Sequence, residues 1–242
     1  MDLIKKLRLF IAIAILYPTV FTLVYFVALE KMPPLAQQAV YLVGKGIQFV
    51  VLPWLCWQAV RTREKGWPKF SGEAWIYGLT SGICIAAFIA LPGVYWLIPS
   101  GFFTEASGIM KLKLLGFGLD TPAKFAALAI FYSVVHSGLE EFYWRWFVDR
   151  RLRSLVGPTW SLVLSSVGFA LHHVVVIAVY LGWTNPLTYL ASAAVGIGGA
   201  WWAWCDRRCH SITPSWISHA FVDAALFYVG WQMVGPSLMS SG

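Results

Sequence analysis

Residues 123–148 read AKFAALAIFYSVVHSGLEEFYWRWFV. At ~1.5 Å per residue such a helix covers ~39 Å, more than the ~30 Å hydrocarbon core of a bilayer. Its apolar run is interrupted toward one end by His136, Glu140, Glu141 and Arg145. Ionisable groups inside a span are costly, so each is a functional candidate.

Six further apolar stretches flank this one, at about 9–29, 36–59, 74–98, 158–181, 186–204 and 213–235. Together they predict an all-α membrane protein of about seven transmembrane helices. Composition agrees. Of 242 residues, 59% are hydrophobic and only 12% charged, with a mean hydropathy of +0.67. A soluble domain of this length needs far more charge to cover its surface. The 14 Trp suit the headgroup level of a membrane. No polar stretch is long enough for a separate soluble domain, so residues 1–242 are read as one integral membrane domain. The opening Met1-Asp2-Leu3-Ile4-Lys5-Lys6 resembles a signal peptide, but the apolar run that follows is too long for one and suits a first span. Cys56, Cys84, Cys205 and Cys209 form no CxxC pair, which argues against structural disulfides.

A net charge of +7 would suggest nucleic acid in a soluble protein. Here it has a topological explanation, and no nucleic-acid partner is expected. With the N-terminus in the cytoplasm, the inner segments hold Lys5, Lys6, Arg8, Arg61, Arg63, Lys65, Lys69, Arg145, Arg150, Arg151, Arg153, Arg207 and Arg208. The outer segments hold only Lys31, Lys111, Lys113 and Lys124, and Lys45 lies within the second span. That bias is the positive-inside signature. Thr121-Pro122 reads as an N-cap followed by proline at the first helical position. Upstream, Gly101, Gly108, Gly116 and Gly118 argue against a stable helix between 102 and 119. Gly78 and Gly82 form a small-xxx-small pair suited to packing against another helix.

Intramembrane ionisable groups concentrate in three spans: those already named in the fourth, His172 and His173 in the fifth, and His219 and Asp223 in the seventh. In helical geometry Glu141 and Arg145 are one turn apart and nearly aligned, whereas Glu140 points away from Arg145. Glu141 is therefore expected to pair with Arg145, leaving Glu140 available as a general base; His136 lies one turn from Glu140. A plain structural salt-bridge cluster is the alternative. Phe169 and His173 share a face with His172 turned about 100° aside, so that only His173 is expected to face Glu140. His219 and Asp223 are also one turn apart.

Glu140-Glu141-x-x-x-Arg145, Phe169-x-x-x-His173 and His219-x-x-x-Asp223 resemble, in this order and on these spans, the three motifs of the family of CAAX proteases and bacteriocin-processing enzymes, which includes the Ras-converting prenyl proteases. The resemblance covers about 123–226. It implies a glutamic-type intramembrane endopeptidase whose cavity opens to the cytoplasm and to lipid. It further implies that Glu140 and His173 activate water, and that His219 and Asp223 stabilise the oxyanion, with Glu141, Arg145 and Phe169 supporting. Family members with Asn at the last position can donate a hydrogen bond there, but ionised Asp223 cannot, so Asp223 is either protonated or orients His219, and the i,i+4 spacing favours the second. No cofactor is expected. The alternative is a zinc-dependent protease with Glu140, His173 and His219 as ligands. The cluster Cys205, Cys209 and His210 is read as ordinary juxtamembrane residues.

Two other function classes compete: a non-catalytic scaffold that holds a partner helix, and a proton-coupled transporter. A transporter would spread its polar residues along a path across the bilayer, whereas these cluster toward one leaflet. The expected partners are the lipid bilayer and a membrane-associated peptide or protein substrate, such as a lipid-modified C-terminus, a leader peptide or a sorting helix. The expected location is the plasma membrane of a prokaryote.

Overall fold

The computed structural model describes residues 3–60 and 69–239, and within them there is no strand. Arg61, Arg63 and Lys65, counted among the inner charges, lie outside the described residues. Seven long helices correspond to the seven apolar stretches: α1 (3–28), α2 (34–60), α3 (72–97), α5 (122–156), α6 (158–181), α7 (Pro186–Cys209) and α8 (Thr213–Met239). A shorter helix, α4 (Thr104–Gly116), precedes α5. Four stretches are long and apolar enough to cross a membrane: Ile4–Ala28, Pro34–Gln58, Gly72–Leu97 and Pro122–Leu181. The last of these contains both α5 and α6. At 24 and 27 residues, α7 and α8 are also long enough, but small and polar residues dilute their apolar runs.

Local chemistry sets the helix ends. Thr121 Oγ1 accepts from the Lys124 amide with Pro122 next in line, as the sequence predicts. Ser71 and Asn185 cap α3 and α7 in the same manner, accepting from Ala74 and Leu187. Gly157, at φ 80°, divides α5 from α6, and Pro158 begins the new helix.

Helix α4 corrects the expectation drawn from its glycines. Gly101 and Gly118 lie outside the helix at φ 77° and 70°, where glycine is the favoured residue, and Gly116 is its last residue. Only Gly108 weakens the interior. The helix is held by burial of Ala106 and Leu114, the latter in a core with Phe125, Val234 and Leu238.

The chain divides into two compact units, residues 1–69 with 140–212, and residues 70–139 with 213–242. In the first, Tyr17 donates to the Gly44 carbonyl (2.9 Å), which joins α1 to α2, and the buried Tyr143 donates to the Ala14 carbonyl (2.6 Å), which joins α5 to α1. Helix α7 comes close to its neighbours through glycine. A methyl group on Gly199 would lie 3.1 Å from the Phe169 ring and 3.4 Å from Arg145 Nη2.

The C-terminal ends of α5 and α7 in this unit are tied by ion pairs. Arg150 reaches Asp206 at 2.8 Å, Arg207 reaches Asp149 at 2.6 Å, and Arg153 lies 3.5 Å from Asp149. Arg207 also donates to the Pro158 carbonyl and to Ser161, which adds α6. Charges counted above as topological signals are therefore also structural.

In the second unit Gly78 and Gly82 of α3 are buried against Ile217 and Phe221 of α8, which makes them the packing surface their spacing predicted. A Cβ on Gly82 would lie 3.0 Å from Phe221 Cβ and 3.1 Å from Ser218 Cα, and that backbone cannot rotate aside. Gly82→Val should therefore destabilise the protein by about 1–3 kcal/mol, read as a lower Tm in detergent. Gly46→Ala is the control, because it meets nothing within 4 Å in a helical backbone and should hold or raise Tm. An unchanged Tm for Gly82→Val would contradict this packing.

Five wide turns with i→i+5 hydrogen bonds interrupt the α-helices, at Val24–Ala28, Ile47–Val51, Gly93–Leu97, Phe131–His136 and Phe142–Asp149. The last two bracket the five α-helical residues Ser137–Glu141. Such turns free carbonyls and re-aim side chains, and they recur at functional sites. The Val134 carbonyl, within one of them, accepts from Trp216 Nε1 at 2.8 Å.

Candidate active site

Glu140 and Glu141 are neighbours on α5, so their side chains diverge by about 100°. Glu141 is fully buried and accepts from Arg145 Nε at 2.9 Å, the pairing the spacing predicted. The Arg145 guanidinium is held otherwise by rings, lying 5.1 Å from the centroid of Phe169 and 5.9 Å from that of Trp202. Its charge is thus neutralised by one carboxylate and solvated by aromatic faces.

Glu140 points to a different environment. Its Oε1 lies 3.6 Å from His172 Nε2 and 4.0 Å from Lys45 Nζ. Glu140, His172 and His173 each offer a ligand atom, all within 4.8 Å of one another. The expectation that only His173 could face Glu140 is therefore corrected. The 100° divergence applies at the helix surface, and the imidazole rings lean back together, their centroids 4.1 Å apart. His172 stacks parallel to Trp144, which steers its Nε2 toward the carboxylate.

His173 Nδ1 is 2.8 Å from the Phe169 carbonyl. A carbonyl only accepts, so Nδ1 carries the hydrogen and Nε2 of the neutral ring is the basic nitrogen. The Phe-x-x-x-His spacing therefore does two things: the Phe169 backbone fixes the tautomer of His173, and its ring carries Arg145.

Lys45 and Gln48, one turn apart on α2, had no role in the sequence reading. Lys45 Nζ donates to Gln48 Oε1 at 3.3 Å and lies over the ring of Phe49 at 5.2 Å. Gln48 is fully buried. The missed signal was the expense of a lysine within a span, which normally marks a pathway or a site.

In the second unit His219 Nε2 and Asp223 Oδ1 are 3.6 Å apart on α8, with His219 the more buried. His136 packs its ring on Tyr132 at 4.7 Å. Cys56, Cys84, Cys205 and Cys209 form no disulfide among the described residues.

No curated protein and no solved structure matches the chain. Residues 122–225 do match one family, described as type II CAAX prenyl endopeptidase, Rce1-like. The matched segment contains all three motifs, from Glu140 to Asp223. Residues 122–225 of this chain are thus similar to the type II CAAX prenyl endopeptidases described as Rce1-like.

Proposed function

We propose that the chain cleaves a membrane-associated peptide or protein with water activated by Glu140 and His173, in a glutamic-type mechanism without metal. The similarity of residues 122–225 to type II CAAX prenyl endopeptidases supports CAAX-type endopeptidase activity. The observation that carries the mechanism is the unequal environment of two adjacent carboxylates. Glu141 is committed to Arg145, while Glu140 sits among two imidazoles and an ammonium.

In this reading Glu140 takes a proton from water as its oxygen attacks the scissile carbonyl carbon. The carbonyl π pair moves onto oxygen. On collapse the C–N bond breaks, and Glu140 returns the proton to the departing nitrogen. His173, its Nδ1–H committed to Phe169, orients the water through Nε2. His219 donates to the oxyanion, and Asp223 orients His219, because an ionised carboxylate has no hydrogen to donate. The substrate class we assign is a prenylated CAAX C-terminus or another lipid-modified or exported chain. The location we assign is a prokaryotic plasma membrane.

One observation favours zinc as a second reading: Glu140, His172 and His173 are donors of the kinds zinc takes, grouped within one unit. They would hold the ion, which would supply an acidified water. This set exchanges His219 of the earlier set for His172. The Lys45 ammonium, 4.0 Å from Glu140, argues against it by putting a cation beside the place a second would occupy.

The test is cleavage of a farnesylated CAAX peptide by the purified protein, with and without phenanthroline. The expected rate under chelation stays within about twofold, since no exchangeable metal-bound water is involved. Loss of cleavage on chelation and its return with added zinc would replace this mechanism by the zinc one.

A further inference from the structure

We infer that Lys45 and Gln48 of α2 are catalytic residues that donate to the oxyanion formed on the substrate carbonyl. The inference rests on the proteolytic reading above.

Two observations carry it. Gln48 is fully buried, and its Nε2 has no hydrogen-bond partner among the described residues. Its Oε1 is occupied by Lys45 Nζ at 3.3 Å, which fixes the amide so that the NH2 end is the one left unpartnered. A buried donor without an acceptor is costly, and that cost is removed when an acceptor arrives. Second, Lys45 Nζ is 4.0 Å from Glu140 Oε1, too long for a good hydrogen bond but close enough for strong attraction in a dry site.

Charge balance agrees with this placement. Before reaction the ammonium of Lys45 neutralises the Glu140 carboxylate. As water gives its proton to Glu140 and its oxygen bonds to carbon, the negative charge passes from Glu140 to the carbonyl oxygen. The same ammonium then neutralises the oxyanion, so no charge near Lys45 is left uncompensated at either stage. A donor aimed at developing charge stabilises the transition state more than the substrate, and should act on kcat.

The experiment compares wild type with Lys45→Met and Gln48→Met, near-isosteric changes that remove the donors. The readouts are kcat and KM on a farnesylated CAAX peptide, Ki for a phosphonate analogue that replaces the scissile amide with a tetrahedral anion, and Tm. Each variant should lose about a hundredfold in kcat with KM within about threefold. Ki for the phosphonate should rise by the same factor as kcat/KM falls, a correlation a merely structural role would not produce. Should Gln48→Met fail to fold, Lys45→Met and its phosphonate Ki decide the matter alone. Folded variants that keep kcat within about threefold, or that lose kcat with unchanged phosphonate Ki, overturn the assignment while leaving the protease intact. A wild-type protein that does not cleave the peptide overturns both this assignment and the reading beneath it.

Discussion

Glu140→Gln should abolish cleavage while the protein remains folded and inserted. The substitution keeps the size of the side chain and an acceptor oxygen toward His172 and Lys45, but an amide cannot take a proton from water. Loss of a positioned general base alone costs about 10²–10⁴-fold. Here the same group also returns the proton to the leaving nitrogen, so the observed loss should lie at or beyond the upper end. The measurement pairs peptide cleavage with Tm in detergent. A folded Glu140→Gln protein that cleaves at the wild-type rate would remove Glu140 from the mechanism and turn attention to His172 and His173.

The second large effect concerns stability. Glu141 and Arg145 are both fully buried at 2.9 Å. Removing either partner leaves the other charge unpaired in a dry interior, which costs about 3–5 kcal/mol. Glu141→Gln and Arg145→Met should each lower Tm severely or prevent accumulation. The double variant should be much less harmed than the sum of the two, because it leaves no orphan charge. Arg145→Met additionally loses the guanidinium contact with Phe169 and Trp202, so of the two single changes it should be the worse. A double-mutant cycle gives the coupling directly, and additivity within about 0.5 kcal/mol would contradict the pairing.

What the sequence makes legible follows from how local each interaction is. Spans are legible because apolar length is counted along the chain, and seven runs become seven long helices. Glu141 with Arg145 and His219 with Asp223 are legible because i,i+4 spacing brings side chains together on any helix. Lys45 and Gln48 are not legible as site residues, because the approach of Lys45 to Glu140 depends on how α2 crosses α5. The approach of His172 was missed for a related reason. A helical wheel gives the direction of Cβ, while a ring steered by stacking on Trp144 can lean well away from it. The wide turns on either side of Glu140 leave no residue pattern of their own, since any sequence tolerant of α-helix can form an i→i+5 bond.

The arginines at the inner ends of the helices act at two different times in the life of the chain. On the positive-inside reading, Arg150 is a cation beside a newly made helix while spans emerge one after another, and it favours the cytoplasmic face for that helix end. Its partner Asp206 lies 56 residues further on. At about 5–20 residues per second, synthesis brings that carboxylate roughly 3–11 s later. Only then can the charge that fixed orientation be buried in the ion pair that fastens α5 to α7. On that reading orientation precedes assembly, and the groups that set it are the ones assembly afterwards conceals.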